Sequence, residues 1–179
     1  MGKVIQLRTR NEGIIMSPTK NKPRINNESD NLIQIAKVII YFASNSSKKL
    51  FKTKLHKLMF YAQFVYYKRY KKKLFNADFI CNYYGPTLEN LDTYLNILQS
   101  AKLLKCENTC YGTTISSKVN LEQNSYTEEE EEVLSEVNNK FESFNATRIS
   151  KYSHEEKLWD EDKIGQKIPI EQAEELLEF

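Results

Sequence analysis

One segment limits what this chain can fold into more than any other. From Thr53, a residue type that caps helices, to about Tyr70 the sequence runs without Gly or Pro. At about 100° per residue, Leu55, Leu58, Met59, Ala62, Val65 and Tyr66 fall on one face. Phe60, Phe64 and Tyr67 form a second apolar strip roughly opposite, and Lys54, Lys57, Tyr61 and Lys68 share a third sector. A helix that is apolar on two sides is either sandwiched between other elements or lends one side to a partner. The segment is therefore the centre of the fold, and Phe60, Phe64 and Tyr67 are candidate anchors for a bound protein.

The remaining pattern is mostly helical. With only 5 Gly and 4 Pro in 179 residues, long helices are favoured over a turn-rich all-β fold, and the length suits one globular domain. Leu32, Ile35, Ala36, Ile39, Ile40 and Ala43 lie on one side of a first helix with Ser29 or Asp30 as its cap; Asn45-Ser46-Ser47 ends it. Phe79 to Tyr84 has strand character, and Gly85-Pro86 breaks it and opens a helix running through about Gln99. Leu103 to Val119, punctuated by Gly112, suggests a hairpin. Thr127 with Glu130 and Ser153 with Glu156 both have the spacing of a capping box, and a last helix begins near Pro169. The expected fold is mainly α within the α+β class, a compact helical domain from 29 to 179 with a small strand or hairpin element. Residues 1–28, basic and interrupted by Pro18 and Pro23, read as an N-terminal arm.

A formal charge of +2 conceals a sharp division. Up to Phe75 there are 17 Lys and Arg against 3 Asp and Glu, and after it 9 against 21. The basic, aromatic first part invites a nucleic-acid reading, with lysines tracking phosphates and rings stacking on bases, but no known binding module accompanies it. The simpler account docks it on the acidic part or on an acidic partner. Glu128, Glu129 and Glu131 open a helix, where carboxylates oppose the positive dipole end; they are also candidates for covering a basic site on a partner.

Enzymatic chemistry finds little support. His154-Glu155 begins like HExxH, but position 158 is Leu, so the second zinc ligand is missing, and no metal or cofactor is expected. His56 and His154 are the two histidines, Cys106 and Cys110 have no histidine at ligand spacing, and no glycine-rich phosphate loop occurs. An odd three cysteines with no apolar leader before them point to a reducing cytoplasm, and no apolar run is long enough to span a membrane. Lys outnumbers Arg 21 to 5 and Asn reaches 16, a bias associated with AT-rich bacterial or phage genomes.

Four motifs in order carry a resemblance. Lys54-Leu-His-Lys-Leu-Met-Phe-Tyr-Ala-Gln63 is similar to the KLQKLLYYAQ helix of the Panacea (SocA-like) antitoxin domain. Tyr84-Gly85-Pro86 resembles that family's YGP turn, Ile149 to Trp159 its L-S-x-x-T/S-H-x-x-x-x-W block, and Ile168 to Phe179 its closing short helix. His56 stands where the family usually has Gln, Thr87 where it has Val, and Met59-Phe60 where it has a Leu pair. The resemblance implies a non-enzymatic antitoxin of a bacterial or phage toxin–antitoxin pair, forming a hetero-oligomer with a toxin encoded nearby, in a setting such as a prophage. Family members neutralise toxins of different kinds, toxic small alarmone synthetases among them, and one branch delivers its toxin to a protease. On the motif positions, Leu55, Lys57, Leu58, Tyr61, Gly85, Pro86, Ser153, His154, Glu155 and Trp159 are assigned architectural roles. Tyr83 and Tyr84, beside the Gly-Pro turn, join the candidate partner contacts.

Overall fold

The computed structural model describes residues 3–4, 28–122, 125–177 and 179; the remainder of the predicted arm lies outside the described residues. In chain order the elements are β1 (Lys3–Val4), α1 (Glu28–Asn45), β2 (Leu50–Phe51), α2 (Lys52–Tyr70), β3 (Phe79–Ile80), β4 (Thr87–Leu88) and α3 (Leu91–Ser100). β5 (Leu104–Thr109), β6 (Gly112–Ser117), β7 (Val119–Asn120), α4 (Glu128–Phe141) and α5 (Ala146–His154) come next, with 3-10 turns at Glu161–Lys163 and Ile170–Glu175. The fold is mixed α+β and mainly helical.

The central helix is sandwiched. α1, α4, α5, β4 and the Ile170–Glu175 turn all pack on α2, and every residue from Leu55 to Tyr66 except His56 is buried. Phe60 and Phe64 belong to this core, at 0% and 1% exposure, with their rings 5.6 and 5.8 Å from that of Phe79. They are not partner anchors: the second apolar strip is covered by the chain's own Phe75–Ile80 segment. Tyr67 is half-buried against the same core. Phe64→Ala accordingly costs about 3–5 kcal/mol and lowers the melting temperature by about 10 °C, which thermal unfolding followed by circular dichroism will read. A melting temperature within the wild-type error would return Phe64 to the surface.

Polar side chains on α2 serve the same sandwich. Lys54 donates to the carbonyls of Phe141 (2.8 Å) and Glu142 (3.3 Å), closing the C-terminal end of α4 with a positive charge. Gln63 bonds both ways to the Phe75 backbone, at 2.8 and 3.1 Å. The helix begins one residue before Thr53, with Phe51 in the cap position and no side-chain cap bond. It ends at Lys71, whose backbone is left-handed (φ 54°) and whose N–H donates to the Tyr67 carbonyl.

Several boundaries shift for identifiable reasons. Ser29 and Asp30 fall inside the first turn of α1, while Asn45 and Ser46 do end it, donating to the carbonyls of Tyr41 and Phe42. Gly85-Pro86 does not open a helix. Leu88 sinks into the core with its N–H held by His56 Nδ1 (3.0 Å), Thr87-Leu88 pairs antiparallel with Phe79-Ile80, and left-handed Asn90 postpones α3 to Leu91. β5 and β6 form the hairpin, and β2 adds on the far side of β6, giving the order β2-β6-β5. β1 pairs parallel with β7.

The division of charge becomes a packing arrangement. Acidic α4 lies on basic α2: Arg69 pairs with Glu132 (3.1 Å) and Glu136, Tyr66 donates to Glu129 (3.1 Å) and Tyr70 to Glu132 (2.9 Å). Lys37 of α1 reaches Glu130 (3.3 Å). Thr127 and Glu130 make both bonds of a capping box, at 3.2 and 3.0 Å. Ser153 starts nothing, because Asn145 has already capped α5 by accepting the Arg148 N–H (2.8 Å). The chain after Pro169 forms a 3-10 turn, and Lys68 fastens the C-terminal residues by donating to the carbonyls of Leu176 (2.9 Å) and Phe179 (2.6 Å).

Candidate partner interface

α2 carries Lys57 and Tyr61 one turn apart on the side that faces α5, while Leu55 and Leu58 point into the core at 0% exposure. Lys57 is itself fully buried and donates to the Pro86 carbonyl at 2.8 Å. Directly above it, Gly85 has φ +89°, and a Cβ there would meet Ser153 Oγ at 2.2 Å, Lys57 Cε at 3.1 Å and His154 Cδ2 at 3.3 Å. Only glycine lets the turn sit this low. The Gly85 N–H closes the turn on the Asn82 carbonyl (2.8 Å), which also accepts from Trp159 Nε1 at 2.9 Å. The Trp159 indole in turn stacks on His154, with centroids 4.0 Å apart and planes 16° apart. On the other flank, the Cys81 backbone exchanges bonds with Gly165 and Gln166 (both 2.9 Å).

Residues far apart in sequence thus support one short loop from beneath, and what the loop presents is Tyr83 and Tyr84. They are 72% and 70% exposed, on a protein whose other aromatic rings, Tyr111 apart, are largely packed among the described residues. Rigid support under exposed rings is the arrangement of a binding surface, since little side-chain or loop entropy remains to be lost on association.

Electrostatics beneath the loop are unusual. Burial pushes the Lys57 ammonium down to about pKa 7. Burial, then Lys57 and Lys52, hold His56 at about 3, so it stays neutral and accepts from the Leu88 N–H. His154 is lowered by burial and by Lys57. Burial first, and then the Glu156 carboxylate, raise the Tyr61 hydroxyl. For Lys57 the consequence is measurable. An unfolded lysine holds its proton to about pH 10.4, so between pH 7 and 10 the unfolded state binds more protons, and stability rises with pH by about 1.4 kcal/mol per unit. Below pH 7 the full penalty of the buried charge applies. Urea titrations at pH 7, 8 and 9 will show that slope in the wild type minus Lys57→Met; equal pH dependence in the two proteins would contradict it.

The other candidates lie elsewhere. Glu129 meets Tyr66, about 14 Å along α2 from Lys57, and is engaged by Tyr66 and by Lys72 at 3.9 Å. Glu128 and Glu131 are exposed on the same first turn of α4, and Tyr67 is at that same distant end of α2. The acidic trio and the aromatic loop are therefore not one site. Glu155 is exposed, whereas Glu156 is buried and accepts the Leu177 N–H (2.9 Å), tying down the C-terminal segment. Sequence reading missed Glu156, which it placed in a capping box, and Asn82, whose turn-forming side-chain type before two tyrosines was the available signal. Ser153 Oγ is buried and donates to the Ser150 carbonyl (2.8 Å), an architectural bond rather than a poised nucleophile. Among the described residues no group of three His, Cys, Asp or Glu is placed to hold a metal, and no helix is long and apolar enough to cross a membrane.

The family model for the antitoxin SocA-like, Panacea domain matches residues 55–160. No curated protein and no solved structure matches the chain. The matched stretch runs from the central helix through the Gly85 turn to Trp159, over more than half of the 179 residues, and the chain belongs to the antitoxin SocA-like, Panacea domain family.

Proposed function

We propose that this chain is the antitoxin of a bacterial or phage type II toxin–antitoxin pair, and that it silences its toxin by binding it through the Tyr83-Tyr84 loop and covering the toxin's active or substrate site. The observation that carries this reading is the exposure of both tyrosines on a loop held from below by Lys57, Ser153, His154 and Trp159. The family supplies the antitoxin role and a toxin partner in general. An antitoxin needs nanomolar affinity or better, about −12 kcal/mol. A standard interface of about 1,600 Å² reaches that when a few aromatic anchors are well packed and pre-organised. The protein acts in the cytoplasm, where its toxin is made.

The basic half does not favour nucleic acid. Lys68, Arg69, Lys71 and Lys72 are engaged by carbonyls or carboxylates of the same chain, which leaves that cluster poorly placed to track phosphates. The test is co-expression with the adjacent reading frame, small alarmone synthetases being the first toxin class to assay. A toxin that kills alone, and remains abundant but silent beside this chain, is the expected result. Its disappearance on co-expression would replace occlusion by delivery to a protease, and a harmless neighbour would remove the antitoxin reading.

A further inference from the structure

The hairpin edge opposite β2 carries a second surface, independent of the toxin reading. β5 is the outer strand of the order β2-β6-β5, and Lys105, Glu107, Asn108 and Thr109 along it are exposed. The tight turn sets Thr109 against Gly112, so the odd-numbered backbone groups of β5 bond to β6 and the even-numbered ones point outward. The Cys106 N–H confirms this phase: it leaves the sheet and meets the Gln99 side-chain oxygen at 3.1 Å. Leu104 is buried at the start of the strand, so the outward N–H and C=O groups open to another strand are those of half-buried Cys106 and exposed Asn108.

Charge decides which strand. On the solvent face, Lys105 and Glu107 flank Cys106 and pair with each other at 2.7 Å within one copy. In an antiparallel pairing centred on Cys106, Lys105 of one copy lies directly across from Glu107 of the other, twice by symmetry. The sequence Lys-Cys-Glu is thus self-complementary about its own midpoint, and most other strands would meet it with at least one mismatch. Charges on an edge ordinarily ward off pairing; here they select a second copy.

We infer that two copies of the chain associate through their β5 edges, making one continuous six-stranded sheet in which Lys105 of each copy pairs with Glu107 of the other. The Gln99 side chain, flexible beyond Cβ, gives up the Cys106 N–H to the other copy's carbonyl. A contact of one short strand on each side is small, so the association is weak and concentration-dependent. The two-fold arrangement uses up both β5 edges, and the outer strands it leaves, β2 of each copy, are only two residues long.

Sedimentation velocity of the full chain over a wide concentration range tests this with four proteins. The wild type shows a reversible monomer–dimer equilibrium. Lys105→Glu and Glu107→Lys each lower the association constant by about tenfold or more, because both cross-strand pairs become like-charged. The equimolar mixture of those two variants, and the double variant, restore it. Both side chains are exposed, so unchanged melting temperatures will separate lost pairing from lost folding. A wild type that stays monomeric up to its solubility limit, single variants that associate like the wild type, or a mixture that fails to recover would each overturn the inference. Loss of toxin binding by the single variants of a monomeric chain would assign the edge to the toxin instead.

Discussion

With alanine at both Tyr83 and Tyr84, the chain no longer protects cells from its toxin, and its affinity for the purified toxin falls by about a thousandfold, the effect of two aromatic anchors at about 2 kcal/mol each. Its thermal stability does not change, because at 72% and 70% exposure neither ring contributes much to the core. Calorimetric titration of toxin into the variant, paired with a melting curve, reads both quantities on one preparation. Loss of melting temperature together with affinity would mean that the rings are structural, and unaltered affinity would mean that the toxin binds elsewhere.

Gly85→Ala acts on the same surface from below, with the opposite signature. The new Cβ would have to share space with Ser153 Oγ at 2.2 Å, and the φ of +89° is one that side-chain-bearing residues rarely adopt. Backbone strain of about 1–3 kcal/mol adds to the clash, so the variant loses stability and neutralisation together. Relief of the clash is testable by itself. Ser153→Ala in the Gly85→Ala background removes the nearest atom and recovers part of the melting temperature, a coupling that a double-mutant cycle measures directly. Strictly additive losses would place the damage in the backbone strain alone.

The contrast between these two variants arises from what lies where, and the sequence indicates only part of it. Periodicity locates α2 and its two apolar strips, but a strip facing a partner and a strip facing Phe79 have the same spacing, and the packing of Phe60 and Phe64 depends on a strand that comes several residues after α2. The capping-box spacing is correct at Thr127 and misleading at Ser153. The difference is tertiary: Asn145 has already opened α5, and Glu156 is drawn down to the Leu177 N–H. Gly85-Pro86 reads correctly as a break, while the helix expected after it yields to Leu88, whose burial and bond to His56 keep the chain extended for two more residues. The charge division is legible as a number but not as a contact, since only the fold lays α4 along α2. The motif residues Lys57, Gly85, Ser153, His154 and Trp159 come from family resemblance. Their convergence under one loop is a property of the folded chain, and it turns three separated motifs into one support.

Lys57 shows how much that support costs. A fully buried ammonium with its pKa drawn down to about 7 is an expensive way to hold one carbonyl of a loop. A hydrophobic side chain of similar length would leave the Pro86 carbonyl without its donor, so the position trades stability for a fixed loop geometry.

Hydrogen–deuterium exchange on the chain with and without its purified toxin tests the interface most directly. Slowed exchange confined to residues 82–85 and to the flanking residues 154–160, with no change at residues 128–132, is the predicted footprint; protection over the first turn of α4 with the Tyr83-Tyr84 loop unaltered would contradict it.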